Sequence, residues 1–385
     1  MKKLFVCLCR AVSLAACTND DQYSWAEDFA DRTTTDTIDI SIVFNGSSAT
    51  VSGDCYGYVS VTDADVVVRS NTNKFLQLSL SGSTDNGSLL IYSWKRLGLL
   101  LHGVSITNPD GPAINNQCGK DLVVSTVAGT VNTLSDGKQY ADAPTNALGA
   151  SIDQKGAFFS EGQIYFRGAG TLNVNGHARN GIASDDYIVV ESGTIHVQVD
   201  ENGNHGIKVN DGFTIRGGTL TVDVKADGAR GIKNDARTLI AGGQTTISTS
   251  GNCRIDTTFL SADNFTIDTT SCAGIKSDSL FLMTAGMLTI TSTGDGGKGV
   301  NCSDTILVQG GTLVATTTGS NDVGKPKAVK SEKAIVLSGG SFYASCLKSW
   351  ACDNGSEDDD PERRVDVIGE PIKEIYSKRL VNVVF

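Results

Sequence analysis

The sequence predicts an all-β chain wound as a parallel β-helix, a solenoid with a less regular N-terminal part. Three observations predict it. A Gly-Ile anchor recurs at Gly181-Ile182, Gly206-Ile207, Gly231-Ile232, Gly274-Ile275 and Gly299-Val300, with a looser Ala328-Val329. Most steps are 25 residues, and the one step of 43 holds a degenerate copy at Arg254-Ile255-Asp256. A second anchor keeps pace at Gly193-Thr194-Ile195, Gly218-Thr219-Leu220, Gly243-Gln244-Thr245, Gly286-Met287-Leu288, Gly311-Thr312-Leu313 and Gly340-Ser341-Phe342. Short runs of period two, such as Thr219–Val224 and Thr194–Val199, read as strands, and no sustained helical stripe follows residue 17. A repeat of this length buries its apolar residues only by stacking on its neighbours.

Along the chain, residues 1–17 read as a lipoprotein signal peptide. Lys2 and Lys3 form the positive start, an apolar run follows, and Leu14-Ala15-Ala16-Cys17 has the form of a bacterial lipobox. Cys17 is the expected lipidation site, and it would hold the chain on the outer membrane, exposed at the cell surface. Residues 18–36 are a polar tether. Residues 37–160 carry irregular strands and a long polar loop from Thr133 to Lys155, as the capping end of a solenoid would. Residues 161–350 are the regular repeats. Residues 351–385 hold an acidic loop and a final strand, Arg379–Phe385, expected to cover the last open edge.

Composition narrows the partners. With 43 Gly and 6% aromatic residues, the core must be built from Ile, Val, Leu and small side chains, and sugar stacking on exposed rings is expected to be limited. The formal charge of −11 argues against nucleic acid, whose phosphates need a basic surface. Of ten cysteines, Cys7, Cys9 and Cys17 belong to the N-terminal segment. The other seven have no zinc spacing, so buried free thiols are expected, with Cys346–Cys352 and Cys253–Cys272 left open as pairs.

The anchors place charge on one face. Counting from each anchor Gly, the Ile at +1 points inward and +2 and +4 point outward. Position +2 holds Ala183, Lys208, Lys233, Lys276, Asn301 and Lys330, and position +4 holds Asp185, Asn210, Asp235, Asp278, Ser303 and Glu332. Lys208, Lys233, Lys276 and Lys330 are the candidate substrate-binding row. The oxygen groups Asp185, Asp186, Asn210, Asp211, Asp235 and Asp278 are the candidate metal ligands, and calcium is the ion that accepts such hard donors in loose geometry. The plainer alternative is that the two rows neutralise each other on the surface. No catalytic residue is singled out, because a row this regular offers many carboxylate pairs.

The segments Leu100–Ile114, Gly156–Gln163 and Gly181–Ile188, with the Gly-Ile-Lys repeats, resemble a known family. It is the calcium-containing, carbohydrate-binding β-helix proteins of bacterial cell surfaces, with a pectate-lyase-like fold. The resemblance covers roughly Ile38 to Ser349, and the stretch after Trp350 departs from it. It implies a right-handed parallel β-helix and non-catalytic binding of acidic (pectin-type) or cellulose-like polysaccharide with calcium assistance. The alternatives are a polysaccharide lyase acting by β-elimination and an adhesin or structural stalk. A lyase is to be recognised by one deeply placed Lys beside clustered Asp, rather than by a uniform row.

Overall fold

The computed structural model describes residues 37–146, 148–261, 264–355 and 364–377. The signal peptide, Cys17, the tether, part of the acidic loop and the expected strand Arg379–Phe385 lie outside the described residues. The described part is all-β, with 34 strands and no helix.

Most strands pair in parallel with a strand about one repeat further on, as the anchors require. Ile182 faces Ile207, Ile207 faces Ile232 and Ile232 faces Ile275, so like residues stack into rows. Twelve strands form one sheet, eleven of them parallel and the first, Val59–Thr62, antiparallel to Asp65–Ser70. A separate two-stranded ribbon joins Arg254–Ser261 to Asn264–Thr270 antiparallel, at the degenerate copy of the repeat. The other twenty strands belong to one large sheet.

That large sheet corrects the expected architecture. The all-β class stands, but the open right-handed solenoid does not. The sheet is a continuous, closed, barrel-like wall of parallel strands with further strands outside it. Phe75–Thr84, Leu97–Asn108, Thr238–Thr249 and Phe281–Ser292 each run unbroken through the point that the sequence marks as a turn. Each of the four holds a glycine of positive φ: Gly82, Gly103, Gly243 and Gly286. Gly243, inside Thr238–Thr249, has φ +70°, so the chain bends there while pairing continues on both sides.

All walls share one core. Phe44, Phe158, Phe213, Phe281 and Phe342 are fully buried among rows of Ile, Val and Leu. The first-anchor glycines serve this core by their size. A Cβ on Gly231 would meet the Ile247 side chain at 2.3 Å, and one on Gly206 would meet Val222 at 2.4 Å. The seven described cysteines are all free, and six of them are buried. One core row contains a misfit: Thr245 stands between Leu220 and Leu288 in register, fully buried, and its hydroxyl has no partner. A buried hydroxyl without a bond costs free energy that an isosteric methyl does not. Thr245→Val is therefore expected to raise stability by about 1 kcal/mol, read as a higher urea midpoint with an unchanged slope.

Candidate functional site

The charged rows form as expected, and they are closed on each other. Ala183, Lys208, Lys233, Lys276, Asn301, Lys330 and Asp353 stand in register on the twelve-stranded sheet. The Lys208 ammonium pairs with Asp235 and donates to the Asn210 side chain at 2.7 Å. Lys233 pairs with Asp235 and, at 2.7 Å, with Asp278, while Lys276 reaches Asp278 at 2.6 Å. Lys330 lies 3.9 Å from Glu332. Burial raises the Asp278 carboxyl, but the Lys233 and Lys276 bonds outweigh it and hold the group at about 2. Its contribution is thus present above pH 3.8 and lost as the pH falls toward 2. Because the pair is partly exposed, Asp278→Asn is expected to cost no more than about 1 kcal/mol, visible as a flatter acid limb of the stability profile.

The six candidate ligands do not converge. Asp235 and Asp278 spend their oxygens on lysines, and Asp186 accepts the Tyr187 amide at 3.0 Å. Asp211 is exposed beside Asp186, and Asn210 donates to Asp185 at 3.3 Å. Asp185 instead joins two residues that the repeat did not mark. Ligand oxygens of Asp153, Glu161 and Asp185 lie within 4.8 Å of one another.

The long loop before Lys155 builds this group. Asn115 and Gln117 donate to the Asp153 carbonyl at 3.0 and 3.1 Å, and Asn180 donates to the Lys155 carbonyl at 2.6 Å. Tyr140 is tied to Asp136 at 2.8 Å, with the Arg179 guanidinium 5.7 Å from its ring. Phe159 and Ala183 are buried in the outward row, which is why the lysine row stops before Lys208. Lys155 takes the lysine's role from the loop: its ammonium lies 2.5 Å from Asp185 and 2.6 Å from Asp153. Burial lowers the Lys155 ammonium, but the bonds to Asp153 and Asp185 prevail and hold it above its ordinary range. Burial first, then the Asp185 and Asp153 charges, push Glu161 up to about 6.

Three clustered carboxylates fit a hard divalent cation, which would offset the burial and the neighbouring charges that raise Glu161. Without a cation, a folded-state pKa above the ordinary 4.5 means that stability from this group is full below 4.5 and is lost as the pH rises through about 6. Glu161→Gln is therefore expected to remove a downward step in stability between those values. Urea unfolding across that range in chelator checks it.

Next to this group lies a feature that the sequence reading missed. Tyr56, Tyr58, Tyr92 and Trp94 gather with Arg69 around a cleft of about 670 Å3. Arg69 and Tyr92 face each other across paired strands, with the guanidinium 5.1 Å from the ring centre. Tyr56 and Tyr58 stand 6.2 Å apart. Trp94 is 77% and Tyr56 73% exposed. A smaller pocket of about 300 Å3, lined by Gln117, Asn146, Asp153 and Glu161, shares Tyr92 and Asn146 with the cleft. The cleft and the pocket thus adjoin at these two residues, with the aromatic rings on one side and Asp153 and Glu161 on the other. The available signal was the clustering of rings in two short segments, Tyr56-Gly57-Tyr58 and Tyr92-Ser93-Trp94.

Known proteins place the chain. The family profile described as "Carbohydrate-binding domain-containing protein" matches residues 62–324. A relative of that description from Acetivibrio thermocellus is 28% identical over 165 residues, 42% of this chain and 54% of that protein. The chain thus spans about half the length of this curated relative. The solved structure of a polysaccharide lyase-like protein from C. thermocellum, a gadolinium derivative, superposes with a TM-score of 0.54 at 23% identity, covering 70% of this chain and 97% of that one. That likeness is one of fold. With the family profile spanning most of the described residues, the chain belongs to the carbohydrate-binding domain-containing proteins.

Proposed function

We propose that this protein binds polysaccharide in the path between Trp94 and Glu161, stacking sugar rings on the aromatic cleft and directing the next residues to the acidic group. The observation that carries this reading is that the aromatic cleft and the acidic pocket share Tyr92 and Asn146 in their linings. Sugar rings present apolar faces to aromatic platforms, while Arg69, Asn146 and Gln117 offer hydrogen bonds to the ring hydroxyls.

The finer reading is an acidic, pectin-type glycan held with calcium. Its support is the Asp153–Glu161–Asp185 group, where a cation would bridge to a uronate carboxylate. Affinity electrophoresis through polygalacturonate, with calcium and with chelator, tests it. Retardation only with calcium, abolished by Glu161→Gln, is the expected result. Retardation by a neutral glucan alone would reject calcium and uronate while keeping the cleft. Anchoring through Cys17 at the outer membrane belongs to the same proposal, and fatty-acid labelling lost in Cys17→Ser tests it.

One observation favours the lyase as a second reading. Lys155 lies against two members of the three-carboxylate group, the arrangement a β-eliminating base requires. Against it, Asp153 and Asp185 keep that ammonium protonated. Absorbance of an unsaturated uronide product on incubation with polygalacturonate decides between binding and cleavage.

A further inference from the structure

We infer that a second glycan-binding groove lies on the large sheet, away from the aromatic cleft, and that it takes an extended, neutral, hydroxyl-rich chain. This rests on the polysaccharide-binding reading and adds a site to it. The groove is about 400 Å3, and Asn173, Asn175, His196, Gln198, Thr221 and Asp223 line most of it. None of these residues lines the aromatic cleft or the acidic pocket.

Strand register arranges them as a grid. Asn173, His196 and Thr221 face one another across neighbouring strands, and so do Asn175, Gln198 and Asp223. Neighbours across strands are ~4.8 Å apart and alternate residues along a strand ~6.6 Å apart, on one face. One step across the strands is close to the advance of one sugar in an extended glycan. The grid therefore repeats its contacts in step with such a chain.

The chemistry of the lining selects the ligand. Asn175 donates to Ser135 at 2.9 Å, but the side chains of Asn173, His196, Gln198, Thr221 and Asp223 bond to no other described residue. Amide, imidazole and hydroxyl groups both donate and accept, as sugar hydroxyls do. No Phe, Tyr or Trp lines the groove, so it would grip hydroxyl edges rather than ring faces. Its one carboxylate, Asp223, disfavours a uronate and favours a neutral sugar. The grouping is local: further along the same two rows stand Thr246, Thr289 and Val314, and Ser248, Thr291 and Thr316, which are too short to wall a groove. Two sites on separate walls would let one molecule bridge two glycan chains, and would raise its hold on a fibre by avidity.

The test uses the full chain and gels containing a soluble neutral β-glucan. The variant Asn173→Ala/His196→Ala/Gln198→Ala is expected to weaken retardation at least tenfold, while Trp94→Ala alone leaves part of it. The single change Gln198→Ala, at an exposed position, is expected to give a smaller loss in the same direction with an unchanged melting temperature. Retardation of both variants equal to the unaltered chain, with Trp94→Ala abolishing it, overturns the second groove and leaves the cleft. If the unaltered chain is retarded by neither neutral nor acidic glycan, the polysaccharide reading itself fails, and the groove with it.

Discussion

Replacing Trp94 by Ala is expected to cost at least tenfold in glycan affinity, about 1.4 kcal/mol, with stability unchanged. Trp94 is 77% exposed, so it contributes little to the core and can be removed without a cavity. Its large apolar face stands in the cleft beside Tyr92, where a sugar ring would cover both. Tyr92→Ala is expected to cost as much or more, because Tyr92 belongs to both cleft and pocket and also carries the Arg69 guanidinium against its ring. The measurement is titration calorimetry with the glycan that retards the unaltered chain, together with a melting curve of each variant. Affinities equal to the unaltered chain in both variants would remove the cleft from the site.

Gly218→Ala is expected to destabilise the protein by roughly 2–5 kcal/mol. Two costs add at this position. The backbone has φ +76°, which an alanine adopts only with strain, and the new Cβ would lie 2.5 Å from the Gly193 carbonyl oxygen of the neighbouring rung. Gly103 separates the two. It has φ +71°, but a Cβ there would meet nothing within 4 Å. Gly103→Ala is expected to pay the backbone term alone, roughly 1–2 kcal/mol. Urea unfolding of both variants checks the difference. Equal losses would show that rung-to-rung contact adds nothing to the backbone cost.

The residue rows were legible from the sequence because stacking copies a local pattern. A Gly-Ile anchor recurring mostly every 25 residues implies that like residues stack, and its Ile implies an inward row. Both appear, in the register the anchors require. The lysine and carboxylate rows were equally legible. What the spacing left open was whether those charges face a ligand or each other, and the alternation of Lys208, Asp235, Lys233, Asp278 and Lys276 is of the second kind.

Only the tertiary structure decided the rest. Whether a glycine ends a strand or lets it bend is a question of what lies on either side. Pairing on both flanks of Gly243 carried the sheet through the bend and closed it into a continuous wall. The acidic group needed the same kind of information. Asp153 lies in the long loop and Glu161 just after the strand Gly156–Ser160, and hydrogen bonds from Asn115 and Gln117 hold Asp153 beside Asp185. The aromatic cleft draws Tyr58 and Tyr92 from segments more than 30 residues apart, in a chain whose aromatic content alone argued against stacking. Periodicity thus determined the rows, since each repeat meets a copy of itself. The sites lie where unlike segments meet, and no period in the sequence records such meetings.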